Sequence, residues 1–159
     1  MNSEVTHEEM IKSEQIEKLR ENERVLLTHL RANTPSGCQR DERILEGHLH
    51  VCFLKPCMRH KIEVWYEEEL MVLNIGDWTH DHPESLDELT HKIDRIVEEK
   101  IVVWKVTRPD DYEYSGHYDL DELREKGLQF LDEPDSEVEP GDRLQKETYT
   151  QLMEDRIIE

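Results

Sequence analysis

The chain has little of what several function classes require. Its longest purely aliphatic run is four residues, Leu70 to Leu73, where a membrane-spanning helix takes about 20 apolar residues. Residues 1–10 carry acids rather than a basic stretch leading into an apolar one, so neither a membrane segment nor a secretion signal is expected. Cations are scarce: 20 Lys and Arg stand against 39 Asp and Glu, a formal charge of −19. Duplex binding rests on Lys and Arg neutralising phosphates, which argues against direct contact with nucleic acid. Only three cysteines occur, Cys38, Cys52 and Cys57, an odd number that cannot close a disulfide framework. Reduced thiols in a cytoplasmic protein are the expectation. No Gly-rich phosphate loop, nucleophile elbow or metalloprotease helix is found, so no motif specifies a reaction.

What is present fits one α+β domain with acidic extensions. At 159 residues, with 35 % apolar and 37 % charged side chains, a single real core is affordable but thin, and some segments stay outside it. Thr6 and Glu9 have capping-box spacing. Ile16, Leu19, Leu26 and Leu30 recur at helical intervals, predicting one long helix over residues 6–32 that Pro35 and Gly37 end. Residues 48–76 alternate as three antiparallel strands. With Lys55 and Pro56 in the first turn and Glu67 and Glu68 in the second, one face carries Leu49, Val51, Phe53, Ile62, Val64, Met71 and Leu73. Trp65, Leu70 and Val72 fall on the other side. Ser85 and Glu88 form a second capping box before Leu86, Leu89, Ile93, Ile96 and Val97, the most regular helix. Residues 101–106 read as a fourth strand, 112–118 as a fifth, and Asp119 with Glu122 caps a short helix closed by Gly127. Residues 132–142, with six acids and no base, have the composition of a solvated linker. Residues 144–158 suit a terminal helix or a partner-binding tail. The expected fold is therefore an antiparallel meander of about four strands with a long N-terminal helix and a second amphipathic helix packed on it. Its divisions are 1–35, 36–131 and 132–159.

Charge is the most informative feature. Residues 1–62 hold ten acids and ten bases; residues 63–159 hold 29 acids and ten bases. The whole excess therefore lies in one part of the chain and creates a directed field. Acidity of this kind also serves solubility alone. The functional reading is an inhibitor whose carboxylates mimic phosphates in the cationic site of a nuclease, toxin or defence enzyme. Glu67, Glu68, Glu69, Asp77, Asp81, Asp110 and Asp111 supply the charge, and Trp78, Tyr112 and Tyr114 supply aromatic anchors. Trp78, in a polar loop, is expected to be exposed, and Trp104 to be core.

Two histidine clusters point to other chemistry. His48, His50, Cys52, Cys57 and His60 have residue types that suit zinc, yet the hairpin parity sets His60 on the face opposite His48, His50 and Cys52. His80 and His82, beside Asp77 and Asp81, resemble the donor set of a small metal-dependent hydrolase or phosphodiesterase; they equally suit a loop whose acids favour the start of a helix. No cofactor is called for otherwise. A third alternative is a structural module that dimerises through Ile16, Leu19, Leu26 and Leu30.

Overall fold

The computed structural model describes residues 10–34, 38–54, 61–67, 70–126 and 138–159. A five-stranded antiparallel meander runs in chain order through β1 (Gln39–Leu45), β2 (His48–Leu54), β3 (Ile62–Tyr66), β4 (Met71–Ile75) and β5 (Thr79–Asp81). Glu46 and Gly47, at φ 53° and 82°, make the two-residue turn between β1 and β2; a hairpin turn of this kind needs left-handed backbone at both positions. The predicted face is the buried one. Leu49 pairs with Tyr66, Val51 with Val64, Phe53 with Ile62, Val64 with Leu73 and Ile62 with Ile75. The pairing is slipped by four residues in the first hairpin and by two in the second, and even slips preserve the face. The turn assigned to Lys55 and Pro56 lies outside the described residues.

Two helices cover that face. α1 (Ser13–Ile16) is a single turn, and α2 (Glu21–Ala32) follows after a break, so the long N-terminal helix is corrected to two pieces. The break has a cause. Leu19 is buried and Arg20 is extended. The fully buried Glu23 carboxylate accepts the Arg20 N–H at 3.1 Å and the Leu49 N–H at 3.0 Å, fastening the start of α2 to β2. Leu26, Leu27 and Leu30 then bury against the sheet. Of the four residues expected to pair with a second copy, Leu19, Leu26 and Leu30 are thus inside the chain's own core, and Ile16 is partly buried against it. α3 (Leu86–Val97) starts as predicted, with Ser85 Oγ accepting the Glu88 N–H at 3.1 Å and Leu89, Ile93 and Ile96 buried. Ser85→Ala should lower stability by about 1 kcal/mol, the ordinary value of an N-cap hydroxyl, read as a shift in the urea midpoint at unchanged slope.

The remaining strands build a second sheet instead of extending the first. β6 (Ile101–Thr107) is flanked by β7 (Glu113–Asp119) and β8 (Arg143–Glu147), and β9 (Leu152–Ile157) forms the edge, in the order β7-β6-β8-β9. α4 (Leu120–Lys126) follows β7 directly, with Asp119 Oδ1 accepting the Asp121 N–H at 2.8 Å. The expected single meander is therefore two sheets, and the C-terminal tail is a hairpin. β6 explains why a second sheet is stable. Ile101 and Val103 belong to the larger core, whereas Val102, Trp104 and Val106 face Tyr118, Leu123 and Leu144 in a smaller one.

Polar contacts join the two halves. Cys38 Sγ lies 3.3 Å from the Tyr149 hydroxyl. Glu99, at φ 66°, turns its carboxylate onto the Thr150 N–H at 3.1 Å and onto the hydroxyls of Thr148 and Thr150. No described helix is long and apolar enough to cross a membrane.

Candidate functional site

The site is built on the turn between β6 and β7. Pro109 presets φ for a turn. The Asp111 N–H donates to the Arg108 carbonyl at 2.9 Å, the Arg108 N–H to the Tyr112 carbonyl at 2.8 Å, and the Tyr112 N–H to Asp110 Oδ1 at 3.1 Å. Asp111 sits at φ 70°, a conformation that Asp tolerates better than most residues. The turn holds Asp110 and Asp111 exposed and leaves Tyr112 61 % exposed.

Tyr112 does not stand alone. Alternation along β7 places Tyr114 and Gly116 on the same face. The Tyr112 and Tyr114 rings are 6.2 Å apart, and Tyr114 meets Trp104 edge to face at 5.8 Å. The Arg108 guanidinium lies 5.3 Å over Tyr114. An exposed aromatic is thereby backed by a half-buried one and then by a buried one.

On the opposite face of β7 the first sheet arrives. The Ser115 hydroxyl donates to the Trp78 carbonyl, and His117 Nδ1 lies 2.9 Å from Thr79 Oγ1. Trp78 is half-buried, packed on the larger core with Lys105 Nζ 5.1 Å from its ring centre. It is a joint between the sheets, not the exposed anchor expected of it, because the loop folds back onto β7. Asp77 beside it is exposed.

Other predicted residues go elsewhere. Asp81 pairs with Lys92 of α3; burial acts to raise its carboxyl, and Lys92 with the His82 amide outweighs this and holds it below the usual value. Glu67 lies 3.7 Å from His48, remote in sequence and pairing from β7. Glu68 and Glu69 lie outside the described residues.

The first histidine cluster is taken up by pairing. His50 Nε2 is 3.2 Å from Glu63, and its ring packs on Trp65 at 4.1 Å. Burial pushes the Cys52 thiol up to about 11, which keeps it protonated at neutral pH. Cys57 and His60 lie outside the described residues. His80 and His82 are exposed and meet edge to face at 5.0 Å. Among the described residues, no three His, Cys, Asp or Glu side chains are grouped to hold a metal ion.

A cleft of about 310 Å³ between α3, β7 and α4, lined by His91, Lys92, Arg95, His117, Asp119 and Glu122, has no counterpart in the sequence reading. Its strongest charges answer each other. Arg95 donates from Nε and Nη2 to both Asp119 oxygens at 2.7 Å and from Nη2 to Asp121 at 2.6 Å, and this guanidinium holds the Asp119 carboxyl low. The spacing of His91, Lys92 and Arg95 on one helix face was the available signal. No family model, curated protein or solved structure matches the chain.

Proposed function

We propose that this chain is an acidic binding protein acting in the cytosol, which neutralises a partner through that partner's basic active or nucleic-acid-binding site. Immunity proteins, anti-defence proteins and nucleic-acid mimics work in this way. One observation carries the reading: Tyr112 is 61 % exposed on a turn with Asp110 and Asp111 and is backed by Tyr114. Tyrosines supported in this manner concentrate binding energy at the centre of interfaces. The surrounding carboxylates supply the field that draws in a cationic surface.

The mechanism is occlusion. Asp110 and Asp111 occupy the positions where the partner's cations hold phosphate, Tyr112 fills a neighbouring pocket, and the bulk of the second sheet keeps the natural substrate out. The excess charge of residues 63–159 accelerates encounter.

Tagged protein incubated at low salt with extract of its source cells should retain a basic protein that elutes as salt rises. For the purified pair, the association rate should fall steeply with ionic strength, and Tyr112→Ala should weaken the complex by about tenfold or more. An association rate indifferent to salt contradicts the reading.

A further inference from the structure

We infer that the face of β7 next to Tyr112 receives a peptide carbonyl oxygen of the partner, which accepts from the Trp104 indole N–H and the Tyr114 hydroxyl once the Arg108 side chain swings aside. The inference rests on the reading of the β6–β7 turn as the docking site and names what that site recognises besides charge.

Its basis is a set of buried groups that the described residues do not pair. Five buried side-chain polar atoms have no hydrogen-bond partner among those residues, and three of them, Trp104 Nε1, Tyr114 Oη and Arg108 Nε, belong to neighbouring side chains. Folded proteins rarely leave such groups unpaired, because each one lowers stability. The three lie behind the exposed Tyr112, where binding would pair them.

The indole is 8 % exposed. Its Nε1 reaches across to β7 and lies 3.2 Å from where a Cβ on Gly116 would stand. Gly116 is itself partly exposed, so the N–H is one layer below the surface. Tyr114 is next along the same face of β7, half-buried, with the Arg108 guanidinium 5.3 Å over its ring. Tyr114 raises the arginine pKa, yet the two groups are not aligned as a hydrogen bond. Arg108 is half-buried beside the exposed Pro109 and Asp110, and its Nε makes no bond that would pin it. It is the movable part of the cover.

The donors set the ligand class. An indole N–H only donates and a phenol can donate, so the incoming group is an acceptor. A carboxylate or phosphate is opposed by charge: Asp110 and Asp111 stand exposed on the turn, and Asp142 and Glu139 act on Arg108. A neutral carbonyl oxygen has two lone pairs for the two donors and meets no such repulsion.

Tyr114→Phe keeps the ring and the net charge and removes the hydroxyl. In the free chain it should leave the thermal midpoint unchanged or raised, since the hydroxyl it deletes is unpaired. With the basic protein recovered at low salt, it should leave the association rate unchanged and speed dissociation about fivefold, the effect of losing one ordinary hydrogen bond. The ligand class is read with N-methylacetamide as a peptide-carbonyl probe and acetate as its anionic counterpart. The signal is the indole N–H proton resonance of Trp104, identified by its loss in Trp104→Phe. The amide should shift it downfield and saturably, and less so in Tyr114→Phe; acetate should not move it. A lowered midpoint for Tyr114→Phe, a shift by acetate instead of the amide, no shift by either, or unchanged dissociation where Tyr112→Ala does weaken the complex overturns the inference. A complex indifferent to both Tyr112→Ala and salt overturns the docking reading, and this inference with it.

Discussion

Replacing Glu42 with alanine should lower the free energy of unfolding by about 3–5 kcal/mol, the cost of removing one partner from a buried ionic cluster. The Glu42 side chain is fully buried in the middle of β1. It accepts from Arg31 Nε at 2.8 Å, Arg40 Nε at 2.6 Å and the Ile11 N–H at 3.0 Å. Alanine leaves two guanidiniums, 30 % and 11 % exposed, facing one another without a counter-charge, and unties Ile11 from the sheet. Against a total of about 5–15 kcal/mol for a domain, this is the largest single-residue loss expected here.

The same cluster sets an acid limit. Burial acts to raise the Glu42 carboxyl, but Arg31, Arg40 and the Ile11 amide outweigh it, so the group ionises below its ordinary 4.5. A carboxyl depressed by folding contributes fully above its unfolded value and loses that contribution as pH falls through its folded value. Stability of the parent should fall below about pH 4.5, and Glu42→Ala should lose less over the same interval. Urea unfolding across pH measures both. A variant within about 1 kcal/mol of the parent, the size of an ordinary hydrogen bond, would show that the cluster is not a keystone.

Gly116→Val should cost about 3 kcal/mol, the upper end for overpacking a closed core. Gly116 lies opposite Trp104 in the β6–β7 ladder. A Cβ there would stand 2.6 Å from Trp104 Cζ2 and 2.9 Å from Cε2. The indole is 8 % exposed and held against Tyr114, so neither partner can give way cheaply. Combining the change with Trp104→Phe should recover part of the loss, because the deleted ring atoms are the ones that collide; couplings between touching residues are of this kind. Unfolding midpoints with the near-ultraviolet signal of the indole read the effect. An unchanged midpoint would place the Trp104 ring elsewhere.

These two residues also show where the sequence is hard to read. β2, β3 and β4 were legible because Leu49, Val51, Phe53, Ile62 and Val64 alternate. The register was not, since it depends on loop length rather than on faces. β1 was invisible: its buried inward position is Glu42, a charged residue satisfied by arginines distant in sequence. The C-terminal hairpin was concealed in the same manner by buried Lys146 and Glu147. The break before α2 follows from Glu23 reaching Leu49, a tertiary contact that helical periodicity does not encode. For the candidate site, Asp110, Asp111, Tyr112 and Tyr114 could be named from acidity and aromatics alone. The role of Trp78 as a joint, and the cleft beneath α3, required the fold, because the first depends on β7 meeting the β4–β5 loop and the second on β7 and α4 meeting α3.

The claim that matters most is that the β6–β7 turn recognises a cationic partner, as distinct from the chain merely being anionic. It is tested by measuring association and dissociation rates with the basic protein recovered at low salt, for two variants of equal net charge. One carries Asp110→Asn and Asp111→Asn; the other carries Glu84→Gln and Asp87→Asn, exposed carboxylates at the start of α3. The turn variant should associate more slowly and dissociate faster, while the α3 variant should change little beyond its effect on encounter. Equal losses from the two, or none from the turn, would contradict the account.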